Sequence, residues 1–124
     1  MNYKLSQRSI ERLKGVHPDL VSVVMLAIER TDVDFLVTEG LRTKERQREL
    51  VAAGASKTMN SRHITGHAVD LAAIVGGEIR WDWPLYEKIA KAMKQAAYEL
   101  NIKIEWGGDW KSFKDGPHFQ LTRK

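Results

Sequence analysis

Two groups of strong metal-binding side chains lie far apart in this chain and act together only in a fold that brings them to one point. The first group is residues 61–71 (SRHITGHAVDL), in which His63 and Asp70 are seven residues apart. The second is residues 115–119 (DGPHF), which contains His118. Two imidazoles and one carboxylate suit Zn²⁺, and three protein ligands leave a fourth tetrahedral position for water, as in catalytic zinc sites.

The spacing of the first group requires a bend. On a continuous strand His63 and Asp70 would face opposite sides of the sheet. Gly66 lies between them and permits a tight backbone turn, so we expect the bend there, with residues 68–72 as the strand that follows.

The same residues resemble the signature of peptidase family M15. Ser61, His63, Gly66, Ala68 and Asp70 match SxHxxGxAxD in order and spacing. This family groups zinc D-alanyl-D-alanine carboxypeptidases, dipeptidases and phage-type L-alanyl-D-glutamate endopeptidases. Residues 115–118 resemble its second motif, an acid three residues before the last histidine ligand. Residues 38–43 (TEGLRT), residues 106–110 (WGGDW) and the small size resemble its compact endolysin-like branch. The resemblance implies one zinc ion per chain, bound by His63, Asp70 and His118.

The resemblance also implies that Asp115 is the catalytic base. On a regular strand this acid would point away from the metal, but Gly116 and Pro117 interrupt the strand and allow its carboxylate to turn toward the open position. Many relatives have glutamate here, and we interpret the shorter aspartate as a mark of the endolysin-like branch. Asp109 and Glu105 are the alternative bases.

Arg42 is the second candidate catalytic residue. It lies where a predicted strand gives way to a predicted helix, and a guanidinium there can bind a substrate carboxylate or steady an oxyanion. The alternative is a surface arginine paired with Glu45 or Glu39. The resemblance favours the site role.

Four further residues are candidates for contacting substrate or supporting the ligands: Ser61, His67, Asp109 and Trp106. His67 has the i+4 spacing from His63 that suits a helical metal motif, but Thr65 and Gly66 are poor helix formers. We therefore expect a histidine at the rim. Asp109 either orients a histidine ligand through its free ring nitrogen or is a simple turn residue.

The patterning predicts alternating short helices and strands, and the resemblance implies an α+β fold with helices on one face of a small antiparallel sheet and the zinc cleft on the other. Helices are predicted after an N-cap at Ser6, from Pro18, over residues 44–53 behind a cap at Thr43, and over residues 84–100. Strands are predicted over residues 35–38, 68–72, 102–106 and 118–121, with a hairpin turn at Gly76-Gly77.

The last helix and strand show which side faces the core. The helix has an apolar stripe, which we expect to be buried: Leu85, Ile89, Ala92, Met93, Ala96 and Leu100. Trp81 and Trp83 precede it and either cover the end of the core, which we favour, or line a groove. Alternation in the last strand places His118 and Gln120 on the face opposite the core.

Length and composition limit the remaining possibilities. With 124 residues and 43% hydrophobic content, residues 1–124 fit one domain with its own core. The absence of cysteine excludes disulfides and thiolate metal sites. The N-terminus shows no apolar segment of a signal peptide, and no apolar run approaches the ~20 residues of a membrane span. We therefore expect no stable membrane insertion.

The small size, Asp115 and residues 106–110 resemble the endolysin-like branch, and this resemblance implies a peptidoglycan endopeptidase that cleaves between L-alanine and D-glutamate in stem peptides. We expect a monomer made in the cytoplasm without a signal peptide, which acts in the periplasm or cell wall after release by a holin or a dedicated system. The net charge of +4 suits an anionic partner such as the envelope, although it equally serves solubility.

Three alternatives stay open at this point. A D-alanyl-D-alanine carboxypeptidase or dipeptidase would use the same site. A non-catalytic zinc module would bind wall peptides without a working base. A nucleic-acid-binding domain would rest on the basic charge alone, and we expect no nucleic-acid partner because no recognised motif supports one.

Overall fold

Four α-helices and five antiparallel strands make up the part of the chain that the structure describes. The structure is a computed structural model, and it describes residues 3–56 and 58–122. Lys57, in the loop between α3 and β2, and the residues at the two termini lie outside this description. The elements in chain order are α1 (Gln7–Arg12), α2 (Pro18–Arg30), β1 (Asp34–Glu39), α3 (Lys44–Ala52), β2 (Ala68–Val75), β3 (Glu78–Arg80), α4 (Trp83–Leu100), β4 (Ile104–Trp106) and β5 (His118–Leu121), with a 3₁₀ turn at Gly107–Asp109.

The helix starts follow from local hydrogen bonds. Ser6 Oγ accepts from the Ser9 amide, and Thr43 Oγ1 accepts from the Arg46 amide. His17 caps α2 with its ring nitrogen, directly before Pro18. Each of these side chains satisfies an amide that the first helical turn leaves without a partner. The predicted caps at Ser6 and Thr43 are thereby confirmed.

Strand β2 is the centre of the sheet and places Asp70 beside His118, two of the predicted metal ligands. The strands lie in the order β1-β2-β5-β4, and β3 pairs with the far end of β2. In the β2/β5 register Asp70 is the partner of His118, and in the β1/β2 register Asp70 is also the partner of Glu39, after a bulge. Cross-strand partners lie about 5 Å apart, so this pairing brings residues from distant parts of the sequence together.

The core lies on one face of this sheet, beneath α2 and α4. Val69, Leu71 and Phe119 point into it and are fully buried, whereas Asp70 and His118 alternate to the opposite face. The α+β architecture with an antiparallel sheet is confirmed, with α2 and α4 on its core face, but α3 lines the cleft that contains the predicted ligands.

The prediction for one end of the α4 stripe was wrong. Leu100, the last residue of the helix, is 40% exposed. Tyr86, which the stripe did not include, is buried instead. Its hydroxyl donates to the Arg80 carbonyl and accepts from the Ala73 amide, so the polar end of the ring is satisfied.

Trp81, just before α4, and Trp83, the first residue of α4, cover the core less than expected. Trp81 is 62% exposed and Trp83 is 41% exposed. Each packs one ring face on an inner aromatic ring, Trp81 on Tyr86 and Trp83 on Trp106. Within residues 3–56 and 58–122, no helix has both the length and the apolar character needed to cross a bilayer.

Candidate metal centre

Three side chains from different parts of the sequence converge on one point. Asp70 Oδ1 lies 3.2 Å from His63 Nε2 and 3.3 Å from His118 Nδ1. All three candidate ligand atoms lie within 4.8 Å of one another. The structure therefore brings together the residues that the two motifs predicted as metal ligands.

His63 reaches this point from a tight turn rather than from a strand. Residues 62–66 form consecutive turns, and Gly66 has φ +78°, the left-handed conformation that favours glycine. Strand β2 begins only at Ala68, so His63 and Asp70 need not obey strand alternation. The bend predicted at Gly66 is confirmed.

The other nitrogen of the His63 ring fixes its tautomer. Nδ1 lies 2.9 Å from the carbonyl oxygen of Gly40, which can only accept a hydrogen bond. Nδ1 must therefore carry the proton. In the neutral ring, Nε2 then presents a lone pair toward Asp70.

His118 is oriented in the same way by a chain of two partners. Gln120 donates its amide nitrogen to Glu105 Oε1 at 3.3 Å, and because a carboxylate can only accept, this bond sets which end of the amide is oxygen. Gln120 Oε1 lies 2.8 Å from His118 Nε2, which must therefore be the protonated nitrogen. His118 Nδ1 then presents a lone pair to Asp70.

Three electron-pair donors thus face each other with no hydrogen between them when both rings are neutral. That arrangement is repulsive unless a cation lies among the donors, either a proton on a ring or a metal ion.

Without a metal, hydrogen bonds between the histidine rings and the Asp70 carboxylate shift the pKa values of Asp70 and His118. Burial alone would raise the pKa of Asp70, but the His118 and His63 rings outweigh it and hold that pKa well below its ordinary value. Burial alone would lower the pKa of His118, but the Asp70 carboxylate raises it overall.

Asp115 lines the same cleft as His63, Asp70 and His118. Among the described residues, the group close enough to hold one metal ion includes those three side chains and not Asp115. Burial raises its pKa, and the nearby negative charge of Asp70 raises it further. This placement suits a proton acceptor that faces the ligands better than it suits a further ligand.

Trp106 and Gly107 hold the turn that carries Asp115. The Trp106 indole donates to the Gly116 carbonyl at 2.7 Å, and the Asp115 amide donates to the Gly107 carbonyl at 3.0 Å. A Cβ at Gly107 would lie 2.3 Å from the Asp115 carbonyl oxygen, so only glycine permits this approach. Trp106 is buried, and its indole supports the loop from behind rather than lining the cleft.

Arg42 is held rigidly beside the cluster. Its Nε and Nη2 both donate to the Glu39 carboxylate, and Nη1 donates to Gln47 Oε1 at 2.7 Å. Nη2 also lies 3.8 Å from Asp70 Oδ2, and the side chain is only 9% exposed. Arg42 therefore pairs with Glu39, as the alternative interpretation expected, but in a nearly buried position on the cleft.

Ser61 connects this arginine to the first histidine ligand. Its Oγ accepts from the His63 amide at 3.2 Å and lies 3.5 Å from Arg42 Nη1. The Arg42 amide in turn donates to the His63 carbonyl at 2.9 Å. The two loops thus hold each other in place.

Three predicted roles are not supported by the geometry. The Asp109 carboxylate binds Lys94 Nζ at 2.7 Å on the surface, so it does not orient a histidine ligand. Glu105 contacts Gln120 rather than the cleft, and neither acid lines the site as an alternative base would. His67 binds Thr65 Oγ1 and packs on the His17 ring, away from the ligand atoms.

The cleft has a volume of ≈ 970 Å³, ample for a peptide. It is lined by residues of α3 and the loop after it, by Trp110 and residues 113–115, and by the three candidate ligands. The Trp110 and His118 ring centroids lie 5.1 Å apart. Phe113 has φ +53°, a conformation that non-glycine residues rarely adopt.

Sequence reasoning did not identify the residues that orient the ligands. Gln120 was placed on the same strand face as His118, and that alternation was the available signal for its role. The Gly40 carbonyl and the Arg42 contact with Gln47 left no pattern, because they depend on how separate segments pack.

Known proteins match both this sequence and this fold. A family model described as phage L-alanyl-D-glutamate peptidase matches residues 1–122. The L-alanyl-D-glutamate peptidase of Escherichia phage T5 is 35% identical over 119 residues, covering 93% of this chain and 87% of the relative. The crystal structure of the Serratia marcescens L-Ala D-Glu endopeptidase ChiX has a TM-score of 0.93 and 55% identity, covering 98% of this chain and 91% of that one.

A more distant structure shares the fold alone. The vancomycin resistance D,D-dipeptidase VanXYg has a TM-score of 0.56 and 20% identity, covering 86% of this chain and 50% of that one. The family resemblance seen in the motifs is confirmed by the closer matches.

Proposed function

Because the chain belongs to the phage L-alanyl-D-glutamate peptidase family, we propose that it is a zinc-dependent endopeptidase that hydrolyses the bond between L-alanine and D-glutamate in peptidoglycan stem peptides. The observation that carries this proposal is the convergence of His63, Asp70 and His118 in one cleft with Asp115. A structural metal site would need neither an open cleft nor an adjacent acid with no ligand role.

The donor set fits zinc. Two imidazoles with oriented tautomers and one ionised carboxylate are common zinc ligands, and each histidine has a hydrogen-bond acceptor on its far nitrogen, as zinc-binding histidines usually do. His63 Nε2, Asp70 Oδ1 and His118 Nδ1 would hold one ion per chain. When bound, zinc would supply Lewis acidity and lower the pKa of a bound water to about 7.

Asp115 acts as the general base and then as the general acid. Its carboxylate accepts a proton from the attacking water and passes that proton to the D-glutamate nitrogen as the peptide bond breaks. Trp106 and Gly107 position it for this task through the turn that they hold.

Arg42 stabilises negative charge that develops on the scissile carbonyl oxygen. Its bidentate edge is already occupied by Glu39, so it does not clamp a substrate carboxylate without breaking that pair. A fixed cation beside the reacting group needs no reorganisation during the reaction, which is the basis of electrostatic catalysis. Ser61 and Gln47 keep the guanidinium in place.

The more similar of the matching structures supports an L-alanyl-D-glutamate endopeptidase rather than a D,D-peptidase. The protein that is 55% identical is named an L-Ala D-Glu endopeptidase, whereas the D,D-dipeptidase is only 20% identical. The site of action would be the cell wall or periplasm, reached through a holin or a dedicated release system. The protein would act as a monomer, with the stem peptide as its partner and no nucleic acid.

The test is digestion of purified sacculi by zinc-loaded protein, with the products identified by mass spectrometry. We expect fragments with a newly exposed D-glutamate amine and no activity after chelation. Release of D-alanine would instead identify a carboxypeptidase. Zinc binding without any digestion would identify a non-catalytic wall-binding module.

A further inference from the structure

The cleft contains positive charge that the protein itself does not neutralise. Four cationic side chains line it: Arg42, Arg46, Arg62 and Lys114. Arg42 pairs with Glu39, and Arg46 pairs with Glu49 at 3.2 Å. Among the residues that the structure describes, no carboxylate lies within 4.0 Å of the charged groups of Arg62 or Lys114.

Arg62 is the more specific of these two cations. It lies in the turn between Ser61 and His63, and its Nη2 donates to the Leu121 carbonyl at 3.2 Å. Its Nε is buried without an acceptor, the one such side-chain atom within residues 3–56 and 58–122. That atom is closed to solvent and therefore to a ligand, but a guanidinium has five N–H donors, and among the described residues Nη1 has no hydrogen-bond partner.

Lys114 differs in two respects. Its Nζ has a hydrogen bond of 3.4 Å to the Gly108 carbonyl, and its ammonium is a compact charge on a flexible stem. A planar guanidinium matches the two oxygens of a carboxylate, whereas an ammonium recognises only a point charge. The unused donors of Arg62 therefore suit a carboxylate ligand.

The proposed substrate supplies a carboxylate at this distance from the reaction. The D-glutamate residue contributes the nitrogen of the bond that breaks and carries two carboxyl groups. One continues the wall peptide, and the other remains a free carboxylate unless it is amidated. This group lies only a few bonds from the reacting nitrogen, so the residue that binds it must lie in the same cleft as the candidate metal ligands, and Arg62 lines that cleft.

The geometry points to Arg62 as the residue that binds the free carboxylate of D-glutamate and so makes the enzyme discriminate against wall peptides in which that carboxylate is amidated. This inference rests on the proposed function and adds to it a substrate determinant. Arg42 does not serve this purpose, because its fork is occupied by Glu39.

The experiment uses zinc-loaded protein and two synthetic stem peptides that differ only in a free carboxylate or a carboxamide on D-glutamate. For the wild type we expect kcat/KM to be roughly 10- to 100-fold higher for the carboxylate, mainly through KM, because one charge-assisted hydrogen bond is lost with the amide. Arg62→Gln should lower kcat/KM for the carboxylate peptide and leave the amide peptide nearly unchanged, so that the ratio approaches one.

The matched control is Lys114→Gln, which removes the same charge from the same cleft and should retain the discrimination. Arg62→Lys keeps a donor for the Leu121 carbonyl but loses the fork, so it should fold like the wild type and show an intermediate ratio. Circular dichroism of each variant separates loss of recognition from loss of fold.

Equal cleavage of both peptides by the wild type would overturn the role of Arg62 while leaving the endopeptidase intact. Loss of discrimination in Lys114→Gln, with Arg62→Gln unchanged, would overturn it as well. Cleavage of neither peptide would defeat the proposed function itself and this inference with it.

Discussion

At the scale of single residues, the site is organised by which ring nitrogen carries a hydrogen. The Gly40 carbonyl and the Gln120 amide oxygen each accept from one histidine, and this leaves the other nitrogen of each ring facing Asp70. The ligands themselves were predicted from the sequence because histidine and aspartate in two spaced motifs are chemically distinctive. Their orienting partners were not, because a backbone carbonyl has no sequence signature.

Replacement of Asp115 by asparagine should abolish most activity without removing the metal. Asparagine keeps the shape of the side chain but cannot accept the proton, and a positioned general base is worth about 10²- to 10⁴-fold in rate. Rates of stem-peptide cleavage and zinc content of the same preparations measure the effect. Asp109→Asn is the control, since Asp109 only pairs with Lys94 on the surface, and it should keep the wild-type rate. A wild-type rate in Asp115→Asn would exclude this residue as the base.

Replacement of Gln120 by leucine should weaken zinc binding by roughly 10- to 100-fold, the usual effect of removing the partner of a ligand histidine. The change removes the acceptor of His118 Nε2 and leaves the size of the side chain similar. Competition with a zinc-binding dye measures the affinity.

The graded control is Glu105→Gln, which keeps an oxygen that can accept from the Gln120 amide and should have a smaller effect. If both variants bound zinc as the wild type does, orientation by Gln120 would have no role in affinity.

At the scale of elements, the sequence correctly predicted the features that depend on residues close together in the chain. The Ser6 and Thr43 caps, the bend at Gly66 and the alternation in β5 all depend on interactions within a few residues, and the structure has each of them. The exposure of Leu100 and the Arg42–Gln47 contact depend instead on how separate elements pack against each other. Periodicity predicts a stripe without indicating which of its end residues the core covers.

Two glycines with the same φ allow the stability cost of backbone strain to be separated from the cost of steric overlap. Gly54 and Gly66 both have φ +78°, but a Cβ at Gly54 would have no neighbour within 4 Å, whereas one at Gly66 would lie 2.3 Å from the Gly15 carbonyl oxygen. Gly54→Ala should cost about 1 to 2 kcal/mol of the free energy of unfolding, the cost of a left-handed alanine.

Gly66→Ala should cost about 2 kcal/mol more, because two backbone segments must separate, and it should also weaken zinc binding by displacing His63. Urea unfolding in the presence of a chelator measures both variants without interference from metal. Equal losses in the two would show that the turn accommodates a side chain and that the contact with Gly15 is not tight.

At the scale of the whole molecule, the cluster of His63, Asp70 and His118 makes the stability of the fold depend on pH. Above about pH 6 this dependence should have opposite signs for proton binding and for metal binding. Without metal, the raised pKa of His118 contributes stability below about pH 6.5, and that contribution is lost as the pH rises through the folded pKa. The lowered pKa of Asp70 contributes stability above about pH 4, which is lost only as the pH falls through its own folded pKa. The metal-free protein should therefore gain most from this cluster between about pH 4 and pH 6.5.

Zinc should reverse the upper part of this dependence, because metal competes with protons for the same nitrogens and binds more tightly as they leave. We expect the Tm in chelator to fall between about pH 6 and pH 9, while the rise in Tm produced by zinc grows over the same range. Thermal denaturation with and without zinc at each pH measures both. His118→Asn, which removes the titrating ring, should flatten the chelator curve and reduce the zinc effect. Because a stabilising metal site of this kind requires the two wild-type curves to diverge, curves that stayed parallel would show that zinc does not bind at the cluster of His63, Asp70 and His118.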